Sequence, residues 1–326
     1  MELRKVQKTR GGTYFVTLPK DWAIKNGMAR GSVVSTSVAS DGRLLIDPHY
    51  NLEPTPQTAA VKPSPHLSRE IIGKYLFGYD IIRVEAKDRI TIDQRKIVKE
   101  SCRRLVGLEI VEEDQANIVM QCVLDPSILS PEQTLRREHG ITSGMFRDAV
   151  AALIDGDVQL ARGVLVRDNE VDRQYFLLVR ILRTIIQNPT LSEKLKVHPI
   201  DCLDYRLAAS LVESVADQSS EIAEHAARLQ GTKIGGETPR SLLSLHKIVY
   251  ESYTDAMTAF FSRNISIADS VRDKRGVVEE MCHNVESISG ALSMEVAQTL
   301  TSVASFIMRI YDHSVDISDL TTPRVR

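Results

Sequence analysis

The sequence predicts a multidomain chain: a small β head, a small α+β middle module, and an all-α body of two three-helix repeats. Three observations lead there. Residues 1–50 carry eight Lys and Arg against four Asp and Glu, although the 326-residue chain has a net charge of −2. Pro48, Pro54, Pro56, Pro63 and Pro65 then punctuate a polar stretch without periodicity, a composition that reads as extended linker. From residue 131 onward helix-period spacing dominates, and a stretch of it returns in a second copy.

In the head, residues 1–50, Tyr14, Val16 and Leu18 alternate before Pro19. Val33-Val34 and Leu44-Leu45-Ile46 flank turn signals at Gly31 and Asp41-Gly42, and one short helix is expected over 22–26. Residues 51–65 form the linker. The middle module, 66–130, offers a helix over 69–77, a strand through Ile82, Val84 and Ala86, a helix over 93–105, and strand-like runs over 108–111 and 118–124. That order is compatible with half of a ferredoxin-like unit.

The body divides at 131–232 and 233–326 into about six long helices, with stops at Gly156, Asn188-Pro189, Gly231, Gly235-Gly236 and Gly290. Phe146-x-Asp148-Ala149 returns as Tyr253-x-Asp255-Ala256, and Val166-Arg167-Asp168 as Val271-Arg272-Asp273. Residues 211–224 align without gaps to 306–319, both reading Asp-x-x-x-(Asp/Glu)-Ile-x-(Asp/Glu). Two tandem three-helix units, each with an acidic last helix, are the economical reading.

Cys102, Cys122, Cys202 and Cys282 stand far apart with no C-x-x-C pair, which argues against zinc knuckles, redox dithiols and disulfide scaffolds and for a reducing, cytoplasmic location. No charged start followed by an apolar run opens the chain, and no stretch has the length of a membrane span. No nucleophile–base pairing, phosphate loop or nucleotide motif points to an enzyme.

Two sets of charges carry the functional expectation. Arg4, Lys5, Lys8, Arg10 and Lys20 surround a Gly11-Gly12 turn, and each can neutralise a nucleic-acid phosphate. A unit of that size is marginal alone, so a homodimer is expected. On the acidic helices, Asp217 and Glu221, like Asp312 and Asp316, lie four residues apart and so share a helix face. Asp168 and Asp172 repeat the spacing one helix earlier, with Glu213 and Glu224 extending the third helix. Such sulfur-free sets suit hard or borderline ions such as Mg²⁺, Mn²⁺ or iron. The competing readings are a solvated helix face and a ferritin-like di-iron centre. The latter requires Glu-x-x-His on two helices; only Glu280-x-x-His283 is present.

Arg4 to Pro48, with Gly11-Gly12, Leu18-Pro19-Lys20, Trp22-Ala23, Gly27, Gly31 and the closing run from Asp41 to Pro48, resembles the AbrB/MazE/SpoVT swapped-hairpin domains. The resemblance implies a dimeric β-barrel head that presents Arg4, Lys5, Lys8 and Arg10 to DNA; Ser32 departs from the acidic residue common after the glycine. Residues 131–326 resemble the PhoU family, through the run from Arg309 to Asp319, Glu213-x-x-x-Asp217 and Asp168-x-x-x-Asp172. That resemblance implies two three-helix repeats holding metal clusters (iron, manganese, magnesium or zinc) on (Glu/Asp)-x-x-x-Asp motifs. The second repeat departs from it: Val277 stands where Asp172 would be, and Met308 where Glu213 would be. The combination is similar to archaeal phosphate-uptake regulators. Together these readings lead to a dimeric DNA-binding transcriptional regulator of the phosphate response, with a metal-binding body as sensor or docking domain. The alternative is a non-DNA adaptor that docks on a phosphate transporter or sensor kinase.

Overall fold

The structure is a computed structural model describing residues 2–38, 42–48, 56–125, 128–229, 231–289 and 292–322. Asp41, Pro54 and Gly290, which figure in the expected turn, linker and helix stops, lie outside the described residues. The chain divides into two compact units, 1–56 and 57–326.

The first unit has two antiparallel ribbons, β1 (Gln7–Lys8) with β2 (Tyr14–Phe15) and β3 (Ser35–Val38) with β4 (Leu44–Asp47), and one helix, α1 (Lys20–Lys25). Pro19 precedes α1 and contributes its carbonyl to the first turn, a position where a missing N–H costs nothing. None of the described residues of this unit is buried. Leu3, Val6, Tyr14, Val33, Val38 and Leu44 are all more than half exposed. Among the described residues of the one chain no closed barrel is present, and two separate two-stranded ribbons cannot by themselves enclose the core that the dimeric barrel reading expects.

The second unit opens with the α+β module. Thr58–Val61, read in sequence as linker, is a strand, β5, with Ala59 and Val61 alternating inward. It is followed by α2 (Leu67–Leu76), β6 (Ile81–Glu85), α3 (Ile92–Arg104), β7 (Leu108–Glu113) and β8 (Asn117–Cys122). The sheet order is β5-β6-β8-β7, with β5 parallel to β6 and the other pairs antiparallel. The parallel strands β5 and β6 are adjacent, whereas a ferredoxin-like unit splits its β-α-β pair with an intervening strand, so that expectation fails. Thr91 and Gln94 close a reciprocal capping box at the start of α3. Leu67, Ile71, Tyr75, Ile82, Val84, Val98, Leu108 and Met120 fill the core between the helices and the sheet.

The body's first repeat is α4 (Pro131–Asp155), α5 (Val158–Gln187) and α7 (Asp201–Arg228), with a short α6 (Pro189–Leu195) between the last two. Asn188-Pro189 both ends α5 and begins α6: Asn188 Oδ1 accepts from the Leu191 N–H at 3.1 Å, and Pro189 occupies the first turn. Gly156 ends α4 at φ +68°, and a Cβ there would lie 2.7 Å from the Gly231 carbonyl oxygen. Only glycine permits both.

The second repeat is α8 (Thr238–Ser262), α9 (Ile265–Arg272), α10 (Arg275–Ser289) and α11 (Met294–Asp319). Its middle helix, expected to be continuous, is interrupted at Asp273–Lys274. The local run Arg272-Asp273-Lys274-Arg275-Gly276 contains weak helix formers, and its cations are drawn to separate partners. Lys274 reaches Asp255 at 3.1 Å and Arg275 reaches Asp312 at 2.8 Å. The repeats meet where α4 packs on α8 and α7 on α11. Among the described residues no helix is long and apolar enough to cross a membrane.

One buried cation ties the α+β module to the body. Arg180 on α5 is 2% exposed; its guanidinium donates to the Tyr75 and Tyr79 carbonyls at 2.7 and 2.9 Å and reaches Asp80 at 3.4 Å. The same group lies 4.9 Å from the Tyr75 ring centroid. Replacing Arg180 with Met leaves two carbonyls without charge-assisted donors, and should cost about 3 kcal/mol of stability. It should also speed proteolysis within 57–125. A urea-derived loss below about 1 kcal/mol, the level of an average substitution, would show that the anchor lies elsewhere.

Candidate cation-binding face of the first helical repeat

The carboxylates singled out in the first repeat sit on two neighbouring helices. Asp168 and Asp172 are one turn apart on α5; Glu213, Asp217 and Glu221 follow at single-turn spacing along α7. The inner face of α7 is held by Val212, Val215, Ala216, Ser219, Ile222 and Ala223, all buried. That apolar stripe turns the acidic stripe toward α5. Glu213, Asp168 and Asp172 are half-buried, whereas Asp217 and Glu221 are exposed.

The electrostatics show how closely these groups crowd. Burial pushes the Glu213 carboxyl up to about 7, with Asp217, Asp172 and Asp168 adding to the rise. Asp217 is raised by burial and by Asp168, Asp172 and Glu221; Asp168 is raised by burial and by Asp172, against a hydrogen bond that the Ser220 hydroxyl donates at 3.1 Å. The opposing positive charge at Glu213 comes from Arg206, stacked 4.7 Å from the Tyr175 ring centroid. Arg104, from the module's α3, reaches Asp172 at 3.4 Å and lies over Phe176.

The donor chemistry fits a hard, oxygen-seeking cation, but the present rotamers do not assemble one binding point. Among the described residues no three His, Cys, Asp or Glu side chains are placed to hold a single ion. Asp168 is engaged by Ser220 and Asp172 by Arg104.

The second repeat resolves the same problem differently. Asp312 accepts from Arg275 at 2.8 Å, and Asp319 from Arg272 Nε at 2.8 Å. Asp316 stands 4.0 Å from His313. The expected pair of Asp312 and Asp316 therefore faces protein side chains, with Arg275 supplying the counter-charge of Asp312. His283, of the single Glu-x-x-His, is 85% exposed on its side chain, and Glu280 is exposed as well.

The sequence reading missed Glu138 on α4. Its side chain is fully buried, neither carboxylate oxygen has a hydrogen-bond partner, and burial together with Glu213 holds its carboxyl well above the usual range. The signal was present: Leu135, Glu138, Thr142, Met145, Phe146 and Ala149 occupy the core stripe of α4, so Glu138 and Thr142 fall where apolar residues belong. Nearby, His139 meets Tyr253 and Phe146 meets His246, each with ring centroids 4.6 Å apart. These two contacts exchange under the repeat register and mark a quasi-twofold between α4 and α8.

Residues 135–226 and 242–321 match the PhoU domain, together more than half of the chain. The chain belongs to the PhoU domain family. The crystal structure of PhoU from Pseudomonas aeruginosa is similar to it with a TM-score of 0.52 at 20% identity, covering 59% of this chain and 93% of that one. The phosphate transport system regulatory protein PhoU from Streptococcus pneumoniae is similar with a TM-score of 0.50 at 16% identity, covering 59% and 91%. No curated protein sequence matches the chain. Both PhoU segments lie in the helical body, leaving the β head and the α+β module outside the match.

In the head, Lys5, Lys8, Arg10 and Lys20 are exposed, and the Lys8 ammonium lies 5.1 Å from the Tyr14 ring centroid. Arg4 is partly covered: it donates to Thr17 at 2.9 Å and pairs with Glu2.

Because the folded Glu213 carboxyl titrates at about 7 rather than the ordinary 4.5, folding takes up a proton in that window and stability is lost as pH rises through it. Glu213→Gln removes the loss. In chelator it should be more stable than wild type at pH 8 by about 1 kcal/mol after solvent screening, and no more stable at pH 4. Urea unfolding at both pH values measures this; equal stability at pH 8 removes the charge-crowding account.

Proposed function

We propose that this protein regulates the phosphate response as an adaptor, docking its PhoU body on a phosphate-transport or signalling protein. The supporting observation is the completeness of the body, which spans more than nine-tenths of two PhoU proteins, one of them titled a phosphate transport system regulatory protein. A hard divalent cation belongs to this reading, held on the first repeat by Asp168, Asp172, Glu213, Asp217 and Glu221. All five already enter into mutual electrostatic repulsion. Binding requires Asp168 and Asp172 to turn from Ser220 and Arg104. The all-oxygen donor set favours Mg²⁺, Mn²⁺ or iron over zinc. What the cation supplies is neutralisation, which fixes the spacing of α5 and α7 and with it the surface offered to a partner. The four cysteines, all free thiols, suit a reducing cytoplasm.

The head serves dimerisation in this reading, because a β unit with no buried residue among those described gains its core from a second copy. A second reading, a dimeric DNA-binding transcriptional regulator, is favoured by the exposed cations Lys5, Lys8, Arg10 and Lys20 on that same unit.

Cross-linking of the full chain in phosphate-replete and phosphate-starved cells separates the two. The adaptor reading expects a phosphate transporter subunit or sensor kinase to be joined equally well by wild type and by Arg4→Glu/Lys5→Glu/Lys8→Glu/Arg10→Glu. If the variant keeps no partner, and wild type retains duplex DNA with an affinity that falls steeply as salt rises, the DNA reading replaces it.

A further inference from the structure

The quasi-twofold between the repeats supplies an internal control for Glu138. In the register that matches Phe146 to Tyr253, Glu138 matches Leu245 and Thr142 matches Val249. Leu245, Val249 and Phe146 are fully buried and pack one side of the α4–α8 seam with hydrocarbon. On the other side, the equivalent places hold Glu138, Thr142 and Tyr253, all fully buried, and none of their side-chain oxygens has a hydrogen-bond partner. The fold therefore has an apolar solution at this position and uses it only once.

We propose that Glu138, Thr142 and Tyr253, together with Glu213, line an inner site for a hard divalent cation between α4, α7 and α8. The inference rests on the cation reading of the first repeat and extends its set of five carboxylates to a sixth, on α4, that the (Glu/Asp)-x-x-x-Asp spacing does not contain. Thr142 is one turn beyond Glu138 on the same face of α4. The Tyr253 ring lies edge-on to His139, the residue next to Glu138, which puts its hydroxyl-bearing ring against this turn of the helix. The Glu138 charge acts on Tyr253, and the Glu213 charge acts on Glu138. Glu213 is half-buried and belongs to the outer acidic face, so it links the inner donors to the route by which an ion arrives. Carboxylate, hydroxyl and phenol oxygens without sulfur or imidazole select Mg²⁺ or Mn²⁺, and an unpaired buried carboxylate is the group such an ion most relieves.

The experiment is a Mn²⁺ titration of the full chain at pH 7.5, with free Mn²⁺ read by electron paramagnetic resonance. It compares wild type with Glu138→Gln, with Glu138→Leu/Thr142→Val/Tyr253→Phe, which copies the second repeat, and with Asp217→Asn/Glu221→Gln. Both inner-site variants should bind one Mn²⁺ fewer than wild type, or bind it at least about tenfold more weakly, the range that even outer-shell partners of a metal command. Wild-type number and affinity in both inner-site variants, with loss confined to Asp217→Asn/Glu221→Gln, overturns the inner site and leaves the outer face standing. Absence of Mn²⁺ binding by wild type overturns the inner site and the cation reading together.

Discussion

Negative charge crowded between α5 and α7 is the constraint around which the helical body is organised. Carboxylates one turn apart repel on any helix, and the repulsion grows when a second acidic helix packs alongside and half-buries them. The two repeats of one chain answer it in different ways. In the second, Arg272 and Arg275 flank the break between α9 and α10, and each donates to a carboxylate of α11; the counter-charge is part of the sequence. In the first, the positive charges within reach are Arg206, stacked on Tyr175, and Arg104, which arrives from another module, and the Glu213 carboxyl still rises to about 7. The asymmetry leaves the carboxylates of the first repeat less fully offset by the chain's own cations than those of the second.

The α+β module belongs to this electrostatic picture. Its attachment through Arg180 places α3 along α5, and Arg104 then falls beside Asp172. In the proposed cation reading, Arg104 and the ion would compete for the same Asp172 oxygen. At nearly half exposure for Arg104 and a third for Asp172 the contact is weak, so it can be exchanged without dislodging the module, whose hold on the body is the buried Arg180. His139 and His246, both pushed down to about 4 by burial, add no charge to the α4–α8 seam near neutral pH, beside the buried Glu138.

Much of this was legible in the sequence, because periodicity and repetition report local geometry. The body's repeats follow from the echo between 211–224 and 306–319, and the substitutions Val277 and Met308 already marked the second repeat as different. The broken middle helix was not legible: Asp273 and Gly276 weaken it only modestly, and the break is fixed by acids that lie far off in the chain. β5 was hidden because Thr58-Ala59-Ala60-Val61 is short, weakly apolar and framed by prolines. Arg104 is 68 residues from Asp172, and no pattern in one sequence joins them. Glu138 was visible as an acid on an apolar stripe, yet its meaning came only with Leu245 at the matching place. In the head, Tyr14 and Leu44-Leu45-Ile46 fall in strands as read, whereas Val16, Leu18 and Val33-Val34 fall outside them.

The most direct measurement of the account is the thermal unfolding midpoint of the helical signal of the full chain, taken in chelator between about pH 6.5 and 8.5 and again with Mn²⁺. Uncompensated carboxylates in the first repeat require the midpoint to fall as pH rises, since the folded state holds protons that the unfolded chain has already released, and to recover when Mn²⁺ takes their place. A midpoint indifferent to both pH and Mn²⁺ contradicts the account, because it means the acidic face is already balanced by the protein's own cations.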